Sequence, residues 1–501
     1  MGEIDERIEA TFRLHSLLLV RHPILGSVYL DFCQKYYVGQ QVYTSVVIGA
    51  NGIGKSYLLR ALAEIFCCLE ALQSREEPTI PQYNFKLSYS SHWQRFEFAN
   101  FREINSADKQ RKYANLVFQR NGEEVAVKDM ILPKRVIASA TTIADKYVAK
   151  STEMYRYKGL RNENSPSTTG TRTMVRKTVD GLLSSLHEKY GFRTELRDLL
   201  KHLGLQPRLE LSYNLRYKDV FVREGMTSAE LIDIFENQKN HFERNSDIWG
   251  TTAFKSIKEK EPWKLDEAAG LLSRMARQGY GRGRQLLKYD LLEDDPRVYE
   301  DREALKVLSS LVLLSYPSLK VYKHDDNYEF DQSSSGESSM FCQLVSIMSD
   351  IEPNSLVLID EPENSSHTNW QISYIGWLKR IFEQYFNCHF VISTHSHFML
   401  TDLEPNSSDI VALERNNGVV RDVSEGVNTF NWSVDDILYR VFRVRNTRNY
   451  VFEQRLFELY RCLEHRDANK QRITELKEEL CRYQLGENDP LSLILNQARD
   501  A

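Results

Sequence analysis

Eight consecutive residues, Gly49-Ala50-Asn51-Gly52-Ile53-Gly54-Lys55-Ser56, fit the pattern GxxxxGK[ST] at every position. Glycines in this order let backbone N–H groups curl around phosphate oxygens, and the start of a following helix adds its positive end. Lys55 can reach β- and γ-phosphates, and the Ser56 hydroxyl can hold Mg²⁺. Gly49, Asn51, Gly52, Gly54, Lys55 and Ser56 are therefore candidate ligands of a nucleoside triphosphate. A chance match would lack the right surroundings. Here TSVVI reads as a strand before the glycines and YLLRALAEIF as a helix after them.

A second cluster lies between 333 and 398. Ser334-Ser335-Gly336-Glu337-Ser338 precedes the apolar run MFCQLVSIMSDI. Small residues there leave N–H groups and a hydroxyl for a phosphate, although the same residues also serve as an ordinary helix cap. Next, LVLIDEPE (356–363) reads as a buried strand ending in acids. Asp360 is placed to assist Mg²⁺ and Glu361 to polarise an attacking water; the bland reading is a pair of loop-capping acids. Asn364 to His367 forms a polar connector. Finally, His389 to Thr394 is another buried strand, running into His395-Ser396-His397. His395 at a strand end can hydrogen-bond a γ-phosphate, yet a lone histidine is commonly a satisfied structural group. The order of the four pieces after a phosphate loop is what argues for chemistry.

The elements that must carry these residues follow from pattern. Residues 11–48 alternate apolar and polar stretches with turn residues, as β-structure does. Asn121-Gly122 separates two strand-like runs and predicts a hairpin. RVIASA (135–140) is a short buried strand, and 161–173, with no apolar residue, predicts a mobile loop. From 178 to 315 the spacing becomes helical: Val179, Leu182, Leu183, Leu186 and Tyr190 share one face, as do Leu196, Leu199, Leu200 and Leu203. Thr227 and Glu230 have capping-box spacing. The reading divides the chain into a lobe at 1–177, a helical insertion at 178–315, a second lobe at 316–427 and a helical tail at 428–501.

Composition narrows the class. The 501 residues hold 65 Lys+Arg against 70 Asp+Glu, a net charge of −5, with 42% hydrophobic and 27% charged residues. These are proportions of an ordinary globular chain, excluding wholesale disorder and collagen-like repeats. No apolar run approaches the roughly 18 residues of a membrane span. Seven scattered cysteines without a CxxC pair point to free thiols in a reducing cytoplasm and to no zinc site.

Together the motifs resemble an ABC-type ATPase of the kind shared by SMC, RecF and OLD-family proteins. SSGES corresponds to that superfamily's signature, LVLIDEPE to its Walker B segment and STHSHF to its switch-histidine loop. The resemblance implies an α/β fold, an ABC-type (P-loop) ATPase head with a helical insertion between two lobes and a helical C-terminal tail. It also implies hydrolysis of ATP to ADP and phosphate with Mg²⁺. Two heads would sandwich ATP in a homodimer or higher oligomer, Lys55 of one facing Ser335 and Gly336 of the other. Three departures bear on hydrolysis more than on binding. Ser333 stands where the signature opens with Leu, Asn364 to Asn369 replaces a Leu-His-Pro-like run before Trp370-Gln371, and no glutamine is assignable to the Q-loop.

The branch is narrower still. Heptad arms and a clustered acidic nuclease domain are both lacking, unlike SMC clamps and OLD nucleases. The stretch from Asn428 to Leu438, with Val441-Phe442, Thr447-Arg448-Asn449 and Tyr157-Lys158-Gly159-Leu160-Arg161, resembles the PtuA-like ATPase subunits of Septu and retron-associated antiphage systems. That resemblance implies a small HNH nuclease partner and contact with DNA or RNA, including retron-derived nucleic acid. Two alternatives stay open: a RecF- or SMC-like DNA repair ATPase without a nuclease, and a nucleotide-sensing scaffold with little turnover. Arg274, Arg277, Arg282, Arg284 and Lys288 around Tyr280 either grip nucleic-acid phosphates or form a solvated face. Ile473, Leu476, Leu480 and Tyr483 make an apolar stripe that docks a partner or packs on its own unit.

Overall fold

The computed structural model describes residues 12–33, 42–101, 115–161, 171–216, 218–237, 251–280, 286–323, 327–329, 335–364, 366–424, 429, 432–442, 449–464 and 470–482. These fall into two compact units, Met1–Ile437 and Leu438–Ala501.

At the centre of the first unit is a seven-stranded sheet. Its order is Val419–Asp422, Ser408–Asn416, Tyr43–Gly49, His389–Ser393, Leu356–Asp360, Val136–Ala140 and Tyr155–Lys158. All neighbours pair in parallel except Ser408–Asn416 with Val419–Asp422. Every residue of VIASA, LVLID and HFVIS is buried, as expected of parallel strands covered on both faces. The sides alternate with the pleat. Val47, Val136, Ala138, Leu356, Leu358 and Val391 share a core with Leu58, Leu59 and Leu62 of the helix Lys55–Gln73. Into that core also packs a six-stranded antiparallel sheet, in the order Gly26–Asp31, Arg13–His22, Asn84–Ser91, Gln94–Ala99, Val117–Arg120 and Glu123–Glu124. Asn121 and Gly122 both adopt positive φ, 52° and 86°, which a two-residue hairpin turn requires.

Edge strand Tyr155–Lys158 buries Tyr155 and Tyr157 on one side. On the other, Arg156 and Lys158 both pair with Asp350, near the end of the helix Ser335–Asp350.

The 178–315 segment departs from the helical expectation. It contributes strands Leu209–Asn214 and Leu286–Asp290, which join Ser318–Tyr322 and Asn327–Glu329 in an antiparallel sheet, so a boundary at 316 cuts through that sheet. Alternation in LELSYN and LLKYD is too short to stand out beside long helical runs. Helix Thr171–Glu188 begins inside the stretch expected to be a loop, whose residues 162–170 lie outside the described residues. The hydroxyl pair Thr178–Ser346 (3.2 Å) and the bond from Ser185 Oγ to the Ser349 carbonyl (3.1 Å) tie it to the helix Ser335–Asp350. Val179, Leu182, Leu183 and Leu186 are buried, but Tyr190 is fully exposed because the helix ends at Glu188. The Thr227–Glu230 capping box forms in both directions, with bonds of 3.0 and 3.3 Å.

Ile473, Leu476 and Leu480 pack against Phe452 and Leu459 inside a helical hairpin, Tyr450–Glu464 with Lys470–Cys481, in the second unit. Tyr483 lies outside the described residues, and the unit starts at Leu438 rather than 428.

Candidate nucleotide site

Three adjacent parallel strands end together. In register, Asp360 stands beside Ser393, and Ser393 beside Val47, two residues before Gly49. Their carboxyl ends form one rim, where open α/β sheets bind ligands. The phosphate loop begins on that rim. Gly49, Gly52 and Gly54 have φ of 152°, 74° and 115°. A Cβ on Gly49 would sit 2.7 Å from the Leu413 carbonyl oxygen, and one on Gly54 2.7 Å from Leu25 Cδ2. Positive φ favours glycine at all three points, and at Gly49 the close carbonyl leaves no room for a side chain. Asn51 lies in the exposed turn of the loop.

Lys55 is only 4% exposed, and its ammonium donates to the Gly49 carbonyl at 2.9 Å. Burial lowers its pKa to about 8, against the opposing pull of Glu361, Glu363 and Asp360. Lys55 Nζ is also 2.8 Å from Nε2 and 3.1 Å from Nδ1 of His395. A buried cation is expensive unless an anion is nearby.

Ser56 Oγ donates to Asp360 Oδ1 at 3.1 Å, and the Ser393 hydroxyl donates to the same oxygen. Burial raises the Asp360 pKa, and the two hydroxyls oppose that shift. A hydroxyl and a carboxylate meeting at one point make an oxygen donor set suited to Mg²⁺. The glycine cradle, the buried ammonium and this oxygen pair fit a magnesium-bound triphosphate: Gly49, Gly52, Gly54 and Lys55 would hold phosphate, and Ser56 and Asp360 would hold the metal.

Glu361 follows with a left-handed backbone, φ 48°, its N–H bonded to the Ser393 carbonyl at 3.0 Å. A non-glycine residue held there costs of order 1 kcal/mol and tends to mark a functional site. The turn aims its carboxylate at His395, whose Nε2 is 3.4 Å from Oε1, while Asn364 donates to Oε2 at 3.0 Å. The His395 contact leads the causes that hold the Glu361 pKa down at about 2. This group is a carboxylate throughout the working range, suited to orienting a water more than to taking its proton.

Sequence reasoning missed several members of the site. Glu363 accepts the His395 backbone N–H at 2.5 Å, and burial raises its pKa. DEPE contains this third acid, so a signal was present. Ser393 carried none, being one serine at a strand end. Of the signature residues, Ser334 lies outside the described residues, Ser335 opens the helix, Gly336 is buried within it, and Glu337 pairs with Lys323 at 3.0 Å. Glu337 is thus engaged by a cation of its own chain. In the basic segment Arg274 pairs with Asp301 (2.5 Å) and Lys288 with Glu210 (2.8 Å), Arg277 is exposed, and Arg282 and Arg284 lie outside the described residues.

The fold is α/β, with a glycine-rich loop and three acids gathered at the carboxyl rim of a parallel sheet. The family described as "AAA domain, putative AbiEii toxin, Type IV TA system" matches residues 159–400, slightly under half of the chain, covering Asp360, Glu361 and His395 but not the phosphate loop. Among solved structures, the SMC head domain from Thermotoga maritima is similar at 11% identity and TM-score 0.36, over 83% of this chain and all of that one. The Smc head domain with an extended coiled coil, bound to the C-terminal domain of ScpA, from Pyrococcus furiosus, is similar at 11% identity and TM-score 0.33, over 87% of this chain and all of that one. No curated protein matches. With likeness this slight, the reading rests on the geometry of the rim itself.

Proposed function

We propose that the chain is the ATP-binding and ATP-hydrolysing subunit of a bacterial antiphage defence complex, whose heads close over ATP in pairs and so regulate an HNH-type nuclease. One observation carries the ATPase part: His395 Nε2 lies between Lys55 Nζ at 2.8 Å and Glu361 Oε1 at 3.4 Å. One ring nitrogen cannot both accept from the ammonium and donate to the carboxylate. A triphosphate that draws Lys55 to itself frees the nitrogen to donate to Glu361. Glu361, fixed by Asn364 and by its own turn, then orients the attacking water. Ser56 and Asp360 would hold Mg²⁺, which would supply charge neutralisation on the phosphates.

The defence part rests on the resemblance carried by Tyr157 to Arg161 and by the segment after 428, of which Asn428, Phe430, Asn431, Thr447 and Arg448 lie outside the described residues. Pairing of heads is supported by the signature helix, whose Ser335 and Gly336 would face Lys55 of a second copy. Closure regulates a nuclease only if the open and closed states bind it with different affinity.

A tagged pull-down from the native locus, wild type beside Glu361→Gln, tests the reading. A stoichiometric small nuclease retained with the variant, together with ATP turnover in wild type only, is the expected result. DNA alone, or no co-purifying protein, would turn the assignment towards a repair ATPase or a nucleotide sensor.

A further inference from the structure

The last two acids of LVLIDEPE converge on one residue from two sides. Glu361 reaches the His395 ring, its Oε1 3.4 Å from Nε2. Glu363 reaches the backbone of the same residue, its Oε1 accepting the His395 N–H at 2.5 Å. This second contact closes a gap at the end of the sheet. The Thr394 N–H still finds the Val47 carbonyl at 3.0 Å, and the Ser393 carbonyl still accepts from Glu361 at 3.0 Å. His395 lies one residue further, beyond the ladder, and its N–H turns to a side chain instead. Left without an acceptor in this partly buried turn, that N–H would be costly.

The turn at 361–364 delivers the carboxyl. Glu361 holds φ of 48°, Pro362 follows and is buried, and the Asn364 N–H donates to the Glu361 carbonyl at 3.3 Å. Glu363 Oε2 is buried and has no hydrogen-bond partner. Packing alone would favour an apolar side chain there, so the carboxyl is kept for what Oε1 holds. The next residue is tied down as well: the Ser396 N–H donates to Thr394 Oγ1 at 2.9 Å, and Ser396 Oγ donates to Gln371 Oε1 at 2.6 Å. The His395 ring must stand within reach of both Lys55 and Glu361, which come from two different strand ends. A displacement of about an ångström forfeits such an arrangement.

We propose that Glu363 is a positioning residue: through the His395 N–H its carboxyl holds the imidazole between Lys55 and Glu361, with no part in holding metal or moving a proton. This rests on the ATPase reading of the rim and divides the labour between two acids two positions apart. Glu361 acts through its charge. Glu363 needs only an acceptor oxygen.

The test reads ATP turnover, affinity for a non-hydrolysable ATP analogue in Mg²⁺, and the His395 ring resonances, assigned by their loss in His395→Ala. Glu363→Ala removes the acceptor, so turnover should fall roughly ten-fold, the size of one hydrogen bond. Analogue affinity should hold, and the ring resonances should shift. Glu363→Gln keeps an oxygen of the same reach and should restore most of the turnover with the ring resonances in place. In the His395→Ala background, Glu363→Ala should cost nothing more. A Gln variant as slow as the Ala variant, a loss of analogue affinity, unmoved resonances in Glu363→Ala, or additive losses in the double variant overturns the inference. Should Glu363→Ala not fold, Glu363→Gln decides alone, and low turnover with the resonances in place overturns it. If wild type hydrolyses no ATP, the ATPase reading fails, and the ring resonances of the two variants still decide the inference.

Discussion

Lys55 and Glu361 meet at the same atom, Nε2 of His395, which lies 2.8 Å from the ammonium and 3.4 Å from the carboxylate. Opposite charges on two sides of one imidazole nitrogen compete for its single proton or lone pair. Occupancy of the phosphate loop thereby decides which partner the ring serves, and the first two predictions follow from that competition.

Glu361→Gln keeps the size of the side chain and removes its charge. Nucleotide binding should survive, because Lys55, Ser56 and the glycine loop are untouched. Turnover should fall at least ~100-fold, the usual loss when a water-orienting carboxylate is removed. Single-turnover phosphate release checks this. Unchanged turnover would show that Glu361 is misassigned.

Nucleotide affinity should depend on pH through Lys55. Burial has lowered its pKa to about 8, so the free protein carries the ammonium below that pH and loses it above. Anionic phosphates bind the charged form, so affinity should be level around neutral pH and decline as pH rises past 8. Lys55→Met should bind weakly at every pH. The same variant should melt roughly 2 °C higher without ligand, since a buried charge has been removed. Titrated affinities and melting curves decide both points.

The three loop glycines should differ in a fixed order. Gly49→Ala sets a methyl 2.7 Å from a backbone oxygen, which cannot swing aside. Gly54→Ala meets the end of the Leu25 side chain at the same distance. A methyl on Gly52 meets nothing within 4 Å, leaving only the strain of its positive φ, about 1 kcal/mol. Loss of nucleotide affinity should therefore rank Gly49→Ala, then Gly54→Ala, then Gly52→Ala.

Asp360 should set the acid limit of magnesium-dependent binding. Burial raises its pKa while Ser56 and Ser393 hold it down. As pH falls, Asp360 takes a proton first, whereas Glu361, at about 2, remains ionised. Ser393→Ala removes one restraining hydroxyl, so the pH below which Mg²⁺-dependent binding is lost should move upward. An unmoved limit would count against Asp360 as the metal ligand.

The rim was legible in the sequence because each of its motifs is local. In GANGIGKS, LVLIDEPE and STHSH, a strand and the groups at its end are contiguous, so spacing alone placed Lys55, Asp360 and His395. What spacing could not reveal is contact between distant segments. Asp145 and Arg161 are sixteen positions apart across a turn and a strand, yet Arg161 donates to the Asp145 carboxylate at 2.6 Å. The sheet of Leu209–Asn214 was hidden for a related reason, since its partner strands come from both sides of a helical stretch. Tyr190 fitted the apolar face by counting alone, but the helix stops at Glu188.

The edge strand Tyr155–Lys158 has a consequence for how the protein behaves in a crowd. A sheet that ends in a bare row of amides is a template on which other chains can polymerise. Here the outward N–H groups of Tyr155 and Tyr157 are already spent, donating to Thr152 Oγ1 at 2.9 Å and to Ser151 Oγ at 3.1 Å, and the Tyr155 carbonyl accepts from the Thr152 N–H at 2.8 Å. An incoming strand would have to displace those residues before it could pair. The parallel sheet is thus guarded at this margin against fibril growth by the short loop that leads into its own last strand.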